Sequence, residues 1–271
     1  MKRLMKLTMS NAKSIYTEAN SMNILKLNVA VFSSLIFLVF SVVDTAAGGD
    51  YADGKLGKAL ILGGNSITVK IPHYAGLKPA KAITISAWIK PKRVGKGGWQ
   101  WQQIYRKEDG NARALMAIGE YEKKHSLCFG LGISGKYVEH GVPLEPAKLL
   151  DGKWHLVSVT FDGKAIKFYA DGQEIGASTK ATGSIDTQGE APAYIGSDKG
   201  TREFFKGGID DVRIYNRAVS SGENKTMALG DGKAPVDGIV GWWKLDGDLK
   251  NSAAKMATGS VAQFRGIDRN W

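Results

Sequence analysis

Asp210 and Asp211 stand side by side in the run Gly207–Ser220, GGIDDVRIYNRAVS. Adjacent carboxylates are hard oxygen donors, the kind of ligand calcium takes together with carbonyl oxygens. The alternative reading is structural: Asp210 accepts hydrogen bonds from turn amides and Asp211 pairs with a surface base. A second patch is Gly97-Gly98-Trp99-Gln100-Trp101-Gln102-Gln103, flanked by Lys96 and Arg106. An extended chain puts Trp99 and Trp101 on one side. Their rings could stack on the faces of pyranose rings while Gln103 and Arg106 hydrogen-bond hydroxyls. The competing reading makes one of the two tryptophans a plug at the mouth of the core.

These groups must be placed by strands. In extended geometry Ile209, Asp211, Arg213 and Tyr215 fall on one face, and Asp210, Val212, Ile214 and Asn216 on the other, with Val212 and Ile214 turned inward. Ala59–Leu62 and Ser66–Ile71 read as strands split by Gly63-Gly64. Ile83–Lys90 alternates Ile83, Ile85, Ala87 and Ile89 against Thr84, Ser86, Trp88 and Lys90. Further strands are predicted at Gln103–Arg106, Leu115–Gly119 and Leu127–Ile133. The last sets Leu127, Phe129, Leu131 and Ile133 on one face, which leaves Cys128 as a small residue under close packing and not a reactive thiol. Asp151–Gly172 reads as two alternating strands joined around Asp162-Gly163, a hairpin. Ser220–Leu229 is predicted to be a short helix, capped by Ser220 or Ser221, with Glu223 in its first turn.

The chain has 271 residues, enough for one sandwich or barrel with a full core. Glycine is abundant at 34 and proline sparse at 7, and the short alternating runs favour an all-β fold. Cys128 is the single cysteine, which excludes an internal disulfide and a cysteine-based zinc site. Val29–Val43 is an apolar run broken only by serines, preceded by Lys26 and followed by Thr45-Ala46-Ala47-Gly48. That is the pattern of a secretory signal peptide cut after Ala47, and a start at Met22 would give it an ordinary leader. The rival is an uncleaved membrane anchor over residues 24–43. Residues 1–47 carry five basic side chains against Glu18 and Asp44, so +8 of the net +11 stays on the remainder. The basic residues are scattered, as on a solvated surface, and there is no finger spacing, RNA-binding aromatic motif or basic helix to suggest nucleic acid.

Several blocks resemble, in order, the LamG-like jelly-roll family, a branch of the concanavalin A-like lectin and glucanase superfamily. Gly54-Lys55-Leu56-Gly57-Lys58-Ala59-Leu60 is similar to the family's lead-in, and Ile83–Pro91 to its next strand motif. The Trp154-His155 strand with Asp171-Gly172 is similar to its paired central strands, Tyr194-Ile195-Gly196 to the strand before the close, and Gly207–Ser220 to the closing signature. The resemblance implies a two-sheet antiparallel jelly-roll sandwich over residues 48–271, behind an N-terminal signal or anchor helix. It also implies an exported binding module, at the cell surface, in the periplasm or secreted.

Family members often hold calcium at a rim of the sandwich. The usual acid of the first turn aligns with Gly63 here, so a calcium site would lean on Asp210, backbone carbonyls and Asn65. Gly238–Asp248, with Trp242 and Trp243, resembles the strand that usually begins such domains, yet comes last. Either residues 236–271 complete the same sandwich as a permuted first strand, with Trp242 or Trp243 buried, or they begin a truncated second repeat.

Catalysis is not expected. The superfamily's hydrolases often carry Glu-x-Asp-x-x-Glu on one strand, which is absent. Glu120-Tyr121-Glu122 reads as a solvated strand end, and His155 has no partnered nucleophile. Partners implied are a glycan or a cell-surface protein, with a membrane met only through the N-terminal segment.

Overall fold

The computed structural model describes residues 50–93, 101–110, 112–186, 189–255 and 263–264. The expected leader and Trp99 lie outside them. The described chain is mostly strand, arranged as two antiparallel sheets packed face to face.

The first sheet has eight strands. Its path is β1 (Asp50–Asp53), β2 (Lys58–Gly63), β13 (Lys206–Tyr215), β4 (Ile83–Pro91), β9 (His155–Phe161), β10 (Ile166–Ala170) and β11 (Gln173–Ser178), and β14 (Ile239–Trp243) also pairs with β13. The second has seven: β15 (Gln263–Phe264), β3 (Val69–Ile71), β12 (Ala193–Ile195), β5 (Gln102–Asp109), β6 (Ala112–Tyr121), β7 (Lys124–Ile133) and β8 (Lys136–Pro143). Helix α1 (Pro146–Leu149) is a single turn, and α2 (Ser221–Ala228) follows β13. The Ser220 side chain accepts from the Glu223 amide at 3.2 Å and the Glu223 carboxylate accepts from the Ser220 amide at 2.8 Å, a reciprocal cap that starts α2.

Between the sheets lie Leu60, Leu62, Ile85, Ala87 and Ile89 from one side and Ile104, Met116, Ile118, Leu127, Phe129 and Leu131 from the other. This matches the alternation read in β4 and β7, because residues two apart on a strand share a face. The opposite face of β4 carries Trp88, which joins Leu156, Tyr215, Val219 and Met227 in a second cluster under α2.

β13 is the strand on which the first sheet is organised. Lys206–Ile209 pairs with β2, Val212–Tyr215 pairs with β14 on that same side, and β4 runs along the other edge. The register to β4 shifts between Asp210 and Arg213, where Asp211 takes φ +53°. An extra residue in one strand of an antiparallel pair is a bulge, and it breaks the strict two-residue period. As a result Ile209, Val212 and Ile214 all enter the core, whereas unbroken alternation sets Ile209 opposite to the other two. Aspartate is among the few non-glycine residues that adopt this left-handed backbone readily. Trp243, from β14, is 0% exposed inside the main core, and Trp242 is half-buried on the outer side.

Candidate functional site

The bulge turns both neighbouring carboxylates to the outer side of the eight-stranded sheet. Asp210 Oδ2 accepts the amide hydrogens of Lys55 and Leu56 at 2.8 and 2.9 Å, so it fastens the turn between β1 and β2. Its Oδ1 is buried with no hydrogen-bond partner among the described residues. Burial pushes the Asp210 carboxyl up to about 7, with the Leu56 and Lys55 amides opposing and the nearby Asp211 and Asp246 charges adding. Asp211 Oδ1 accepts from the Trp242 indole Nε1 at 2.5 Å and its Oδ2 pairs with Arg213 at 2.7 Å. Burial raises the Asp211 carboxyl too, against the pull of Arg213 and Trp242.

Asp210 and Asn65, the residues expected to share a calcium ion, are not brought together. Ile209 faces Leu60, while Asn65 lies beyond Gly63 at the other end of β2. The three residue steps from Leu60 to Gly63 alone span about 10 Å. Calcium takes six to eight oxygens at short range, so the Asp210–Asn65 pair does not fit it. The described residues hold no group of three or more His, Cys, Asp or Glu side chains able to take a metal ion. The base that meets Asp211 is Arg213, which is buried, and not a surface group.

The expected sugar patch is also rearranged. Trp99 lies outside the described residues. Gln103 is 1% exposed and its Nε2 donates to Glu203 at 2.6 Å. Arg106 is 6% exposed and pairs with Glu108, with Asp198 at 3.2 Å and with Glu203 at 3.4 Å. A guanidinium this buried needs its charge matched within the protein, and Glu108, Asp198 and Glu203 supply that match for Arg106.

Trp101 is different. It is half-buried and lies across Gly119 of β6, where an added Cβ would stand 2.8 Å from the ring atoms Cδ2 and Cε3. Two other rings sit over glycines on the same outer face of the seven-stranded sheet. An added Cβ at Gly141 would stand 2.6 Å from Tyr121 Cγ, and one at Gly130 would stand 2.9 Å from Tyr137 Cε2. Tyr121 comes from β6 and Gly141 from β8, with β7 between them, and the Tyr121 hydroxyl donates to the Glu139 carbonyl at 3.4 Å. In a flat sheet those strands would be about 9.6 Å apart. The sheet therefore curls toward this face and makes it concave.

Polar groups frame the rings. The Tyr137 hydroxyl donates to the Glu139 carboxylate, and the Arg113 guanidinium carbon stands 4.5 Å from the centre of the Tyr137 ring. Burial pushes the Cys128 thiol up, and its Sγ contacts the Ser126 carbonyl at 3.7 Å, so it is part of the floor. Tyr121, Tyr137, Arg113 and Glu139 were not singled out from sequence. The available signal was Gly119, Gly130 and Gly141 inside strands, since a mid-strand glycine marks a close approach by something else.

Two antiparallel sheets packed face to face define a β-sandwich. A family model for the concanavalin A-like lectin/glucanases superfamily, of the laminin G type, matches residues 63–223, and the chain belongs to that family. Among curated proteins, none matches the sequence. Solved structures share the fold. A putative carbohydrate binding protein from Bacteroides ovatus is 18% identical with a TM-score of 0.56, over 80% of this chain and 57% of that one. The binding domain of botulinum neurotoxin serotype G is 12% identical with a TM-score of 0.53, over 69% and 45%. The binding domain of Paraclostridial Mosquitocidal Protein 1 is 16% identical with a TM-score of 0.51, over 68% and 46%. The chain spans about half the length of these structures, and all three are described as binding proteins or binding domains.

Proposed function

We propose that this protein is an exported, non-catalytic module that binds carbohydrate on the concave outer face of the seven-stranded sheet. The observation that carries the reading is the set of three rings, Trp101, Tyr121 and Tyr137, each laid over a glycine and each half-buried. A ring held against strand backbone loses little freedom when a sugar stacks on it, so most of the ordering cost is met in the folded protein. Glu139 and Arg113 stand beside the rings to exchange hydrogen bonds with hydroxyls. The leader read over residues 1–47 supports export, and the relatives described as binding domains support a role without turnover.

A glycan array probed with the full chain, with and without calcium, tests this. Binding to a defined set of glycans that Trp101→Ala and Tyr137→Ala abolish is the expected result. An array that stays blank in both conditions would overturn the carbohydrate reading and favour a cell-surface protein as the partner. Binding retained by both variants would reject this face.

A further inference from the structure

On the opposite side of the sandwich, where β2 leaves β13 and β14 takes over, there is a cleft of about 300 Å3. Gly57 and Asp231 from two loops, Arg213 from β13, and Trp242, Lys244 and Asp246 at the end of β14 line it. Its walls thus come from segments far apart in sequence, set side by side by the bulge.

The polar groups here are unevenly satisfied. Arg213 is 3% exposed; Asp211 holds its Nη2, and its Nε has no hydrogen-bond partner among the described residues. A buried donor without an acceptor costs about 1–3 kcal/mol, so this wall favours an arriving oxygen. Lys244 is exposed, and its ammonium and the Arg213 guanidinium carbon stand 4.7 and 4.8 Å from the centre of the Trp242 ring. Asp246 spends one oxygen on the Lys58 amide at 2.7 Å, and Asp231, also in the lining, accepts the Lys233 amide at 3.0 Å and pairs with the Lys233 ammonium at 3.3 Å. A ligand must therefore offer acceptors to Arg213 and Lys244 and a donor to Asp246, beside the Trp242 ring. A hydroxyl both donates and accepts, and a pyranose carries several hydroxyls around an apolar C–H face.

We propose that this cleft binds one hexopyranose, either free or as the end residue of a glycan, at a site separate from the concave face. The proposal rests on the carbohydrate reading above but on different residues. The full chain is titrated with methyl glucosides, galactosides and mannosides and with oligosaccharides that end in the same sugars, read by intrinsic tryptophan fluorescence and calorimetry.

A saturable site for at least one methyl glycoside is expected. Lys244→Ala should weaken it about tenfold, Trp242→Phe should weaken it measurably, and Trp101→Ala should leave it unchanged. Lys244 is exposed, so its removal spares the fold, and an unchanged melting temperature verifies that. Tighter binding of oligosaccharides than of the methyl glycoside would identify a chain end as the source, and equal binding a free sugar. No saturation by any methyl glycoside up to about 50 mM, or saturation that neither Lys244→Ala nor Trp242→Phe affects, would overturn the proposal. Oligosaccharide binding that depends on Trp101 but has no methyl-glycoside counterpart would sink the cleft alone. Methyl-glycoside binding that depends on Lys244, without any Trp101-dependent binding, would sink the concave face alone.

Discussion

Ile209 and Val212 enter the same hydrophobic core although they are three residues apart, an arrangement that regular strand geometry forbids and the bulge at Asp210–Asp211 produces. The bulge also marks the point where β13 changes partner, from β2 beside Ile209 to β14 beside Val212. Two carboxylates, one strand junction and one cleft thus follow from a single inserted residue.

Asp210 should make stability depend on pH. Its folded carboxyl stands at about 7, above the ordinary 3.8, so the folded state holds the proton across that interval. The associated stability is fully present below about pH 4 and is lost as pH rises through 7. Asn at this position keeps an oxygen for the Lys55 and Leu56 amides and removes the buried charge. Asp210→Asn should raise stability at pH 8 by on the order of 1–3 kcal/mol and flatten the fall between pH 4 and 7, as read by urea titration at several pH values. A loss of stability at pH 8 would show that the ionised carboxylate is needed, as it would be for a bound cation.

His155 acts in a higher window. Its Nδ1 lies 2.8 Å from Asp171 and its Nε2 3.1 Å from Asp151, and the bond to Asp171, more than any other contact, raises the imidazole above its ordinary 6.5. This clamp contributes fully below pH 6.5 and is lost as pH rises through the raised value. Thermal melts should fall by on the order of 2 °C over that interval, and His155→Gln should remove the fall. A slope unchanged in the variant would assign it to other groups.

The C-terminal strand should be integral to the sandwich. Trp243→Ala should cost about 3–5 kcal/mol, since it empties a fully buried indole site. A chain ending at Ala234 should lose the single cooperative transition in thermal melting followed by circular dichroism. Unfolding as sharp and as late as that of the full chain would instead favour residues 236–271 as the start of a truncated second repeat.

The glycines beneath the rings should separate binding from folding. Gly119→Ala puts a methyl carbon 2.8 Å from the Trp101 ring and should displace it at a stability cost of about 1–3 kcal/mol. Glycan binding should fall in Gly119→Ala and Gly130→Ala by more than in Gly222→Ala, whose added methyl meets nothing nearer than the Ser220 hydroxyl at 4.0 Å. Equal effects at all three positions would reject the ring platform.

Much of the fold was legible in the sequence because the central strands alternate cleanly. The β4 residues Ile83 to Ile89 and the β7 residues Leu127 to Ile133 are examples, and Ser220 with Glu223 announced α2. β8 and β11 were missed because edge strands bury less and alternate poorly; Tyr137, Val138, Glu139 and His140 are all only partly buried. The bulge in β13 left no trace in residue types, since two aspartates suit a regular strand end as well as a left-handed turn. The ligand patch misled at Gln103 and Arg106 because polarity in a sequence does not distinguish a group awaiting a ligand from one paired inside the protein. Glu203, the partner of both, lies about a hundred residues away. The concave face was hidden for the same reason: Tyr121 and Gly141 meet only because the sheet curls.

The sharing of β13 between β2 and β14 also sets an order of assembly. As the chain emerges from its N-terminal end, β2, β4 and β13 can pair at once, but the edge of Val212–Tyr215 that faces away from β4 must wait for Ile239–Trp243. Until then that one edge is an open row of amides and carbonyls able to recruit a neighbouring chain. The final strand therefore works as a closure, and a nascent molecule stalled before Ile239 is the species most exposed to mispairing.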